Sequence, residues 1–289
     1  MMGPRILSLV ALALGVATTS QALDWPAAAP VAVEFGGPNA GSPIQGIVMS
    51  GSGVDIRASE AGELVFERAT NDFHTKLPSA TGETLVLEGG HGLASVYAYL
   101  PSVADPGAEN FVSDALIGKS GPAGLLDADG FMFALYDRKA GRWVNPRVFL
   151  PKSDDAKAPL IRKVSLESKG KIWVLGDSKS IPQGSYSIIV DTAEQGTGTQ
   201  GLVIGPPWYL RVLVNGEKVV EARTEIAEAK NGVLSFYPSP REGASIVIDG
   251  NGSVRVPPRS FSRGKSVIEL LVRDFAGNER SAAWTLLFE

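Results

Sequence analysis

Short runs in which apolar and polar residues alternate recur along the chain, each closed by Gly, Pro, Asn or Asp. They fall at residues 62–67, 84–88, 94–100, 131–136, 185–190, 210–214, 245–248 and 267–272. A period of two marks a strand with one buried face, and no long segment keeps the 3.6-residue apolar period of a helix. The pattern predicts an all-β chain. Near the end, apolar runs at 269–272 and 281–288 flank Asp274-Phe275-Ala276-Gly277-Asn278. A Gly-Asn turn supplies the positive φ that a hairpin needs, so these residues predict a closing hairpin.

The polar, proline-bounded stretch around Lys152-Ser153-Asp154-Asp155 reads as a linker at 152–159. It divides the chain into a β domain at 23–151 and a second at 160–289. Six to eight short strands and the Asp-x-x-Gly-Asn hairpin make the second half resemble a bacterial immunoglobulin-like β-sandwich. The first residues differ from both. Met1-Met2-Gly3-Pro4-Arg5 precede an apolar run from Ile6 to Ala17, and Ser20-Gln21-Ala22 offers small residues at a cleavage position. This is the layout of a secretory signal peptide at 1–22, cut near Ala22. The run is too short for a span of about 20 apolar residues. A periplasmic or secreted location is therefore expected, with no membrane span after cleavage.

Composition narrows the chemistry. The chain has no cysteine and two histidines, which removes thiolate nucleophiles, zinc–cysteine sites and iron–sulfur clusters. A formal charge of −4 with both signs interspersed gives no electrostatic case for nucleic acid or an anionic membrane surface.

From Trp25 to Pro151 a series of short motifs appears in a familiar order. Trp25-Pro26 leads to Phe35-Gly36, and Ile56-Arg57-Ala58 continues to Gly62-Glu63-Leu64. Tyr97-Ala98-Tyr99-Leu100 follows, then Ile117-Gly118-Lys119-Ser120-Gly121-Pro122-Ala123-Gly124, and finally Val144-Asn145-Pro146 to Leu150-Pro151. In order and spacing this resembles the LytM, or lysostaphin-type, zinc peptidoglycan endopeptidases. The resemblance implies a zinc held by the His and Asp of "His-x-Gly-Ile-Asp" and the second His of "His-x-His", with an open position for water. It also implies two further histidines that assist proton transfer, one in "Tyr-Ala-His-Leu" and one opening "His-x-His".

Carried over residue by residue, those positions are lost. "His-x-His" falls on Gly130 and Met132, and the histidine of "Tyr-Ala-His-Leu" on Tyr99. "His-x-Gly-Ile-Asp" falls on Ile44-Gln45-Gly46-Ile47-Val48, so both ligands become aliphatic at Ile44 and Val48. A rival register on Gly51-Ser52-Gly53-Val54-Asp55 keeps Asp55 but leaves too few residues before Ala58 for the next strand. His74 and His91 lie off every ligand position, the first in a loop-like stretch and the second in a glycine-rich turn. A catalytic zinc usually needs three protein ligands, so no metal, no cofactor and no catalytic residue is expected.

Other constellations are weaker. Asp127-Ala128-Asp129-Gly130 opens like a calcium loop but runs into the apolar Phe131-Met132-Phe133. No Gly-x-Ser-x-Gly elbow is present, and a carboxylate pair for glycoside hydrolysis leaves no spacing signature. Trp208 and Tyr209, after Gly205-Pro206-Pro207, could display a stacking surface or enter a sandwich core, the commoner use of such aromatics. With Tyr97 and Tyr99 they are the candidate ligand-binding residues. The function this implies is a non-catalytic pseudopeptidase that regulates or scaffolds cell-wall remodelling in the bacterial envelope. Its partner would be a cell-wall amidase or peptidoglycan itself. The alternatives are an active metalloendopeptidase with an unorthodox site, or a peptidoglycan- or carbohydrate-binding module. An apolar filling of the former metal cleft is the structural expectation.

Overall fold

In the computed structural model, the described residues are 23–68, 79–90, 92–127, 129–152, 154–177, 180–196, 201–230, 233–236 and 246–289. The proposed signal peptide at 1–22, His74 and His91 lie outside them. The architecture is all-β. Apart from a 3-10 turn at Pro146–Val148, no helix occurs among the described residues. None is therefore long and apolar enough to cross a membrane.

The first half contributes β1 (Val31–Val33), β2 (Pro38–Asn39), β3 (Ser42–Pro43), β4 (Ile47–Ser50), β5 (Asp55–Arg57) and β6 (Gly62–Arg68). After them come β7 (Glu83–Gly89), β8 (Leu93–Leu100), β9 (Asn110–Phe111), β10 (Leu116–Lys119), β11 (Gly130–Asp137) and β12 (Arg142–Val144). The antiparallel order is β9-β6-β7-β8-β11, and along its far edge β11 pairs first with β4 and then with β12. Alternation explains the layering. Phe131, Phe133 and Leu135 of β11 join Tyr97, Ile47 and Met49 in one core, which the β5–β10 ribbon closes through Ile56 and Ile117. Met132 and Ala134, one step out of phase, point to the opposite face with Val48, Val96 and Ala98.

The second half contributes β13 (Leu160–Ser168), β14 (Lys171–Val174), β15 (Gly184–Gln195), β16 (Leu202–Ile204), β17 (Tyr209–Val214) and β18 (Glu217–Arg223). It continues with β19 (Ile226–Lys230), β20 (Val233–Phe236), β21 (Ile246–Ile248), β22 (Val254–Phe261), β23 (Gly264–Arg273) and β24 (Glu279–Phe288). One sheet is ordered β18-β17-β23-β24, and a second runs β14-β13-β15-β22-β21-β20-β19. Their inward residues, among them Val212, Ile268, Leu270, Ile188, Val190 and Val256, share one apolar core.

The predicted closing hairpin is the β23–β24 turn. Gly277 takes φ 103°, and Asp274 Oδ1 accepts from the backbone N–H of Gly277 at 2.7 Å and of Asn278 at 2.8 Å. Asn278 Nδ2 also donates to the carbonyl of Asp155 at 3.0 Å, tying the polar 152–159 stretch to the hairpin.

The alternation does not foretell how the halves join. β12 pairs with β19, Trp143 opposite Ala227 and Val144 opposite Ile226, so one sheet runs from the first half into the second. Asn145 Nδ2 reinforces the seam with a 2.8 Å bond to the carbonyl of Thr224. Phe35, which the sequence places in an entry strand of the first domain, lies 1% exposed in the second core. Its ring meets Phe236 edge-on at 5.4 Å. Just before β2, Gly36 carries φ 83°, and a Cβ there would reach within 3.0 Å of Pro206.

Candidate functional site

The positions at which the family resemblance expects zinc ligands are brought together. β4 and β11 pair so that Val48 stands opposite Met132, and on the other side of β11 Met132 stands opposite Ala98. Ile44 reaches the same face from the turn before β4. Ile44, Val48 and Met132 are 4%, 0% and 7% exposed in a cluster with Val96, Ala98 and Ala134, onto which Val33, Tyr99 and Leu126 pack. In the rival register Asp55 would be the ligand, but it lies on β5, paired with β10, and its carboxylate is engaged by Lys119 Nζ at 2.6 Å and Arg57 at 3.3 Å. These cations, Lys119 first, hold the Asp55 carboxyl below the ordinary range.

Zinc does not fit this set. Isoleucine and valine have no lone pair to offer, and thioether sulfur is a poor substitute for imidazole at a borderline cation. Gly130, on the same face of β11, could not hold a histidine without moving backbone, because a Cβ there would stand 2.2 Å from the carbonyl oxygen of Met49. Gly46 is hemmed in for a similar reason. A Cβ at 46 would lie 2.4 Å from the Phe133 carbonyl oxygen where the chain crosses β11.

A clasp closes over one side of the cluster. The backbone N–H of Ala40, at the tip of the β2–β3 hairpin, donates to Asp127 Oδ2 at 2.6 Å, and the N–H of Asp127 donates to Asn39 Oδ1 at 3.0 Å. The Asp127 carboxylate that opened the calcium-like sequence is thus spent on holding a hairpin. On the other side the face stays open. Val65, Phe66, Val86, Val96, Tyr136 and Trp143 line a groove of about 370 Å³, with Phe66 52% and Val65 41% exposed. It shares Val86, Val96 and Trp143 with the filled cluster.

The four aromatic candidates part company. Tyr97 is fully buried, its ring 5.3 Å from Phe133 and its hydroxyl oxygen accepting from the Ser59 N–H at 2.8 Å. Burial pushes its pKa up to about 12. It is a core residue with no surface to offer a ligand, because its parity on β8 matches Phe133 rather than Met132. Tyr99 sits at the cluster's edge with φ 60°, and desolvation followed by the charge of Asp127 raises its pKa. Tyr209 is 6% exposed, and its hydroxyl donates to Glu221 at 2.6 Å. Trp208 is partly buried and lines a separate cavity between the halves. The open-groove residues Phe66, Tyr136 and Trp143 carry no motif, and only their outward parity on alternating strands could have pointed to them.

No curated protein matches the sequence, and a family model matches residues 158–289. The structural neighbours are LytM- and M23-peptidase-like. The chain is similar to the structure of the SpoIIQ–SpoIIIAH pore-forming complex, at 22% identity over 46% of this chain and 94% of that one, with a TM-score of 0.38. It is similar to a protein described as an M23 peptidase from Pseudomonas aeruginosa, at 21% identity over 45% of this chain and 51% of that one, TM-score 0.32. It is also similar to the antimicrobial peptidase lysostaphin from Staphylococcus simulans, at 13% identity over 85% of this chain and 94% of that one, TM-score 0.37.

Proposed function

We propose that this chain is a non-catalytic pseudopeptidase, exported to the bacterial envelope, that regulates or scaffolds peptidoglycan remodelling by binding a protein partner such as a cell-wall amidase. The observation that carries the reading is the packing of Ile44, Val48 and Met132 into one apolar cluster where ligands would stand. A site that must bind an ionised water and a polar transition state cannot be built from dry aliphatic side chains. The neighbouring open groove, with Phe66 half exposed, supports binding as the surviving activity of that face, since exposed apolar patches mark interaction surfaces.

The second half is read as an immunoglobulin-like sandwich that adds a further protein-binding surface. The order β13-β15-β22-β21 against β18-β17-β23-β24 supports this, because it follows the A-B-E-D and C′-C-F-G arrangement of that fold.

The test pairs metal analysis of the mature protein with peptidoglycan digestion, first alone and then with a purified amidase. The expected result is no stoichiometric zinc, no cleavage by the protein alone, and amidase activity that changes on its addition. Stoichiometric zinc with cleavage would establish the active-endopeptidase alternative instead. Binding of soluble muropeptides without any effect on amidase would favour the peptidoglycan-binding module.

A further inference from the structure

Where the two halves meet, the fold forms a half-open cavity of about 540 Å³ to which no sequence motif points. That lies within the range of small-ligand sites, roughly 300–1,000 Å³. Part of its wall is aromatic. The rings of Trp208 and Phe275 lie 5.2 Å apart, and the Arg147 guanidinium sits 5.3 Å from the Trp25 ring and 5.8 Å from that of Phe275. The charges are unbalanced. Arg147, its Nε 3.8 Å from Glu34 Oε1, is the sole cation among the described lining residues, against the carboxylates of Glu34, Asp155, Glu194 and Asp274.

Three of these carboxylates have partners at hand, Glu34 in Arg147. Asp274 is bonded within its hairpin, and Asp155 accepts from the Lys157 N–H at 2.9 Å. Glu194 is different. Its Oε2 and the indole Nε1 of Trp208 are buried without a hydrogen-bond partner among the described residues. Leaving such groups unpaired opposes folding, so a ligand that pairs them is favoured. One is an acceptor or an anion and the other a donor, both on the wall of the same cavity.

We propose that this cavity binds an organic ammonium borne on the same molecule as a carbonyl group, the chemistry of a lysine residue in a short peptide. Glu194 takes the ammonium, the aromatic walls flank it, and the Trp208 indole N–H meets the carbonyl. The rings already carry guanidinium groups, Arg147 over Trp25 and Phe275 and Arg223 over Trp208 at 5.5 Å, so the attraction for an incoming positive charge comes from the surplus of carboxylates. A divalent metal does not fit, because among the described residues no three His, Asp or Glu gather closely enough to hold one. Burial first, then the charges of Glu34, Asp274 and Asp155, push the Glu194 carboxyl up to about 8 against the opposing effect of Arg147. Binding of a cation therefore releases a proton near neutral pH.

The inference does not rest on the pseudopeptidase reading. Its test titrates the full mature chain with Nα-acetyl-lysine methylamide and with the neutral Nε-acetylated form, followed by tryptophan fluorescence and calorimetry. Saturable binding of the charged probe alone is expected. It should tighten by about 25-fold between pH 6.5 and 8.5 as Glu194 ionises, and weaken by about tenfold or more in Glu194→Gln. The pH series on the unmodified protein stands even if that variant folds poorly. Equal binding of the neutral probe, no saturable signal from either, or an undiminished affinity in a folded Glu194→Gln would each overturn the assignment.

Discussion

Met132 on β11 stands directly opposite Val48 on β4, and both are buried. The pairing brings together two positions at which the sequence resemblance leads one to expect metal ligands, and their side chains have no affinity for metal. Restoring the ligands singly is therefore predicted to damage the fold before it restores any chemistry. Val48→Asp buries a carboxylate among Val96, Ala98 and Ala134 and should cost about 3 kcal/mol or more. Urea denaturation followed by circular dichroism measures it, and an unchanged midpoint would mean that the cluster opens to water.

Glu194 gives the stability a sign with pH. Its carboxyl, raised to about 8 mainly by burial, stays protonated in the folded chain where an unfolded chain has already ionised. The folded state holds the extra proton between the ordinary glutamate range and pH 8. Its contribution is therefore full below about pH 4.3 and is lost as pH rises through 8. Glu194→Gln should raise the melting temperature at pH 8 clearly more than at pH 4.5. Equal shifts at the two pH values would refute the buried carboxyl.

Phe35 is a first-half residue in the second-half core. Phe35→Ala removes the edge-on contact with Phe236, and aromatic-to-alanine core changes cost about 3–5 kcal/mol. Scanning calorimetry of the unmodified chain should show one transition, because the sheet and this ring cross the seam. In the variant the transition should fall in temperature. A lower melting point for the first half alone, with the second unaffected, would contradict the packing.

Asp274→Ala deletes the acceptor for two backbone N–H groups of the closing turn and a partner of Asn278. A loss of about 2–3 kcal/mol is expected, read as a shift in the urea midpoint. Asp274→Asn should recover part of it, since its amide oxygen can still accept.

The strands were legible because their alternation is strict. The run at 267–272 became the interior of β23, and the Gly277-Asn278 turn closed where its residues demanded. The Ile44–Val48 segment was placed by counting back from Ala58 and Gly62, and within it Gly46 leaves no room for a Cβ against the Phe133 carbonyl. Tyr97 misled, since a conspicuous aromatic motif hides which tyrosine faces the core. Counting parity from Phe133 would have resolved it. Glu34, Arg147, Glu194 and Trp208 could not be read as a group. They lie on four distant segments with no common spacing, and only the seam between the halves brings them to one cavity. The β12–β19 pairing was hidden for the same reason, because a three-residue strand carries no label for its partner.

That pairing bears on how the protein can be divided. A chain ending near residue 155 would lose β19 and leave the backbone of Trp143 and Val144 bare along a sheet margin, beside the already exposed Val65 and Phe66. Unprotected margins of this kind recruit strands from other molecules. The first half expressed by itself should therefore self-associate, and the natural unit for purification, labelling or fusion is the whole length through β24.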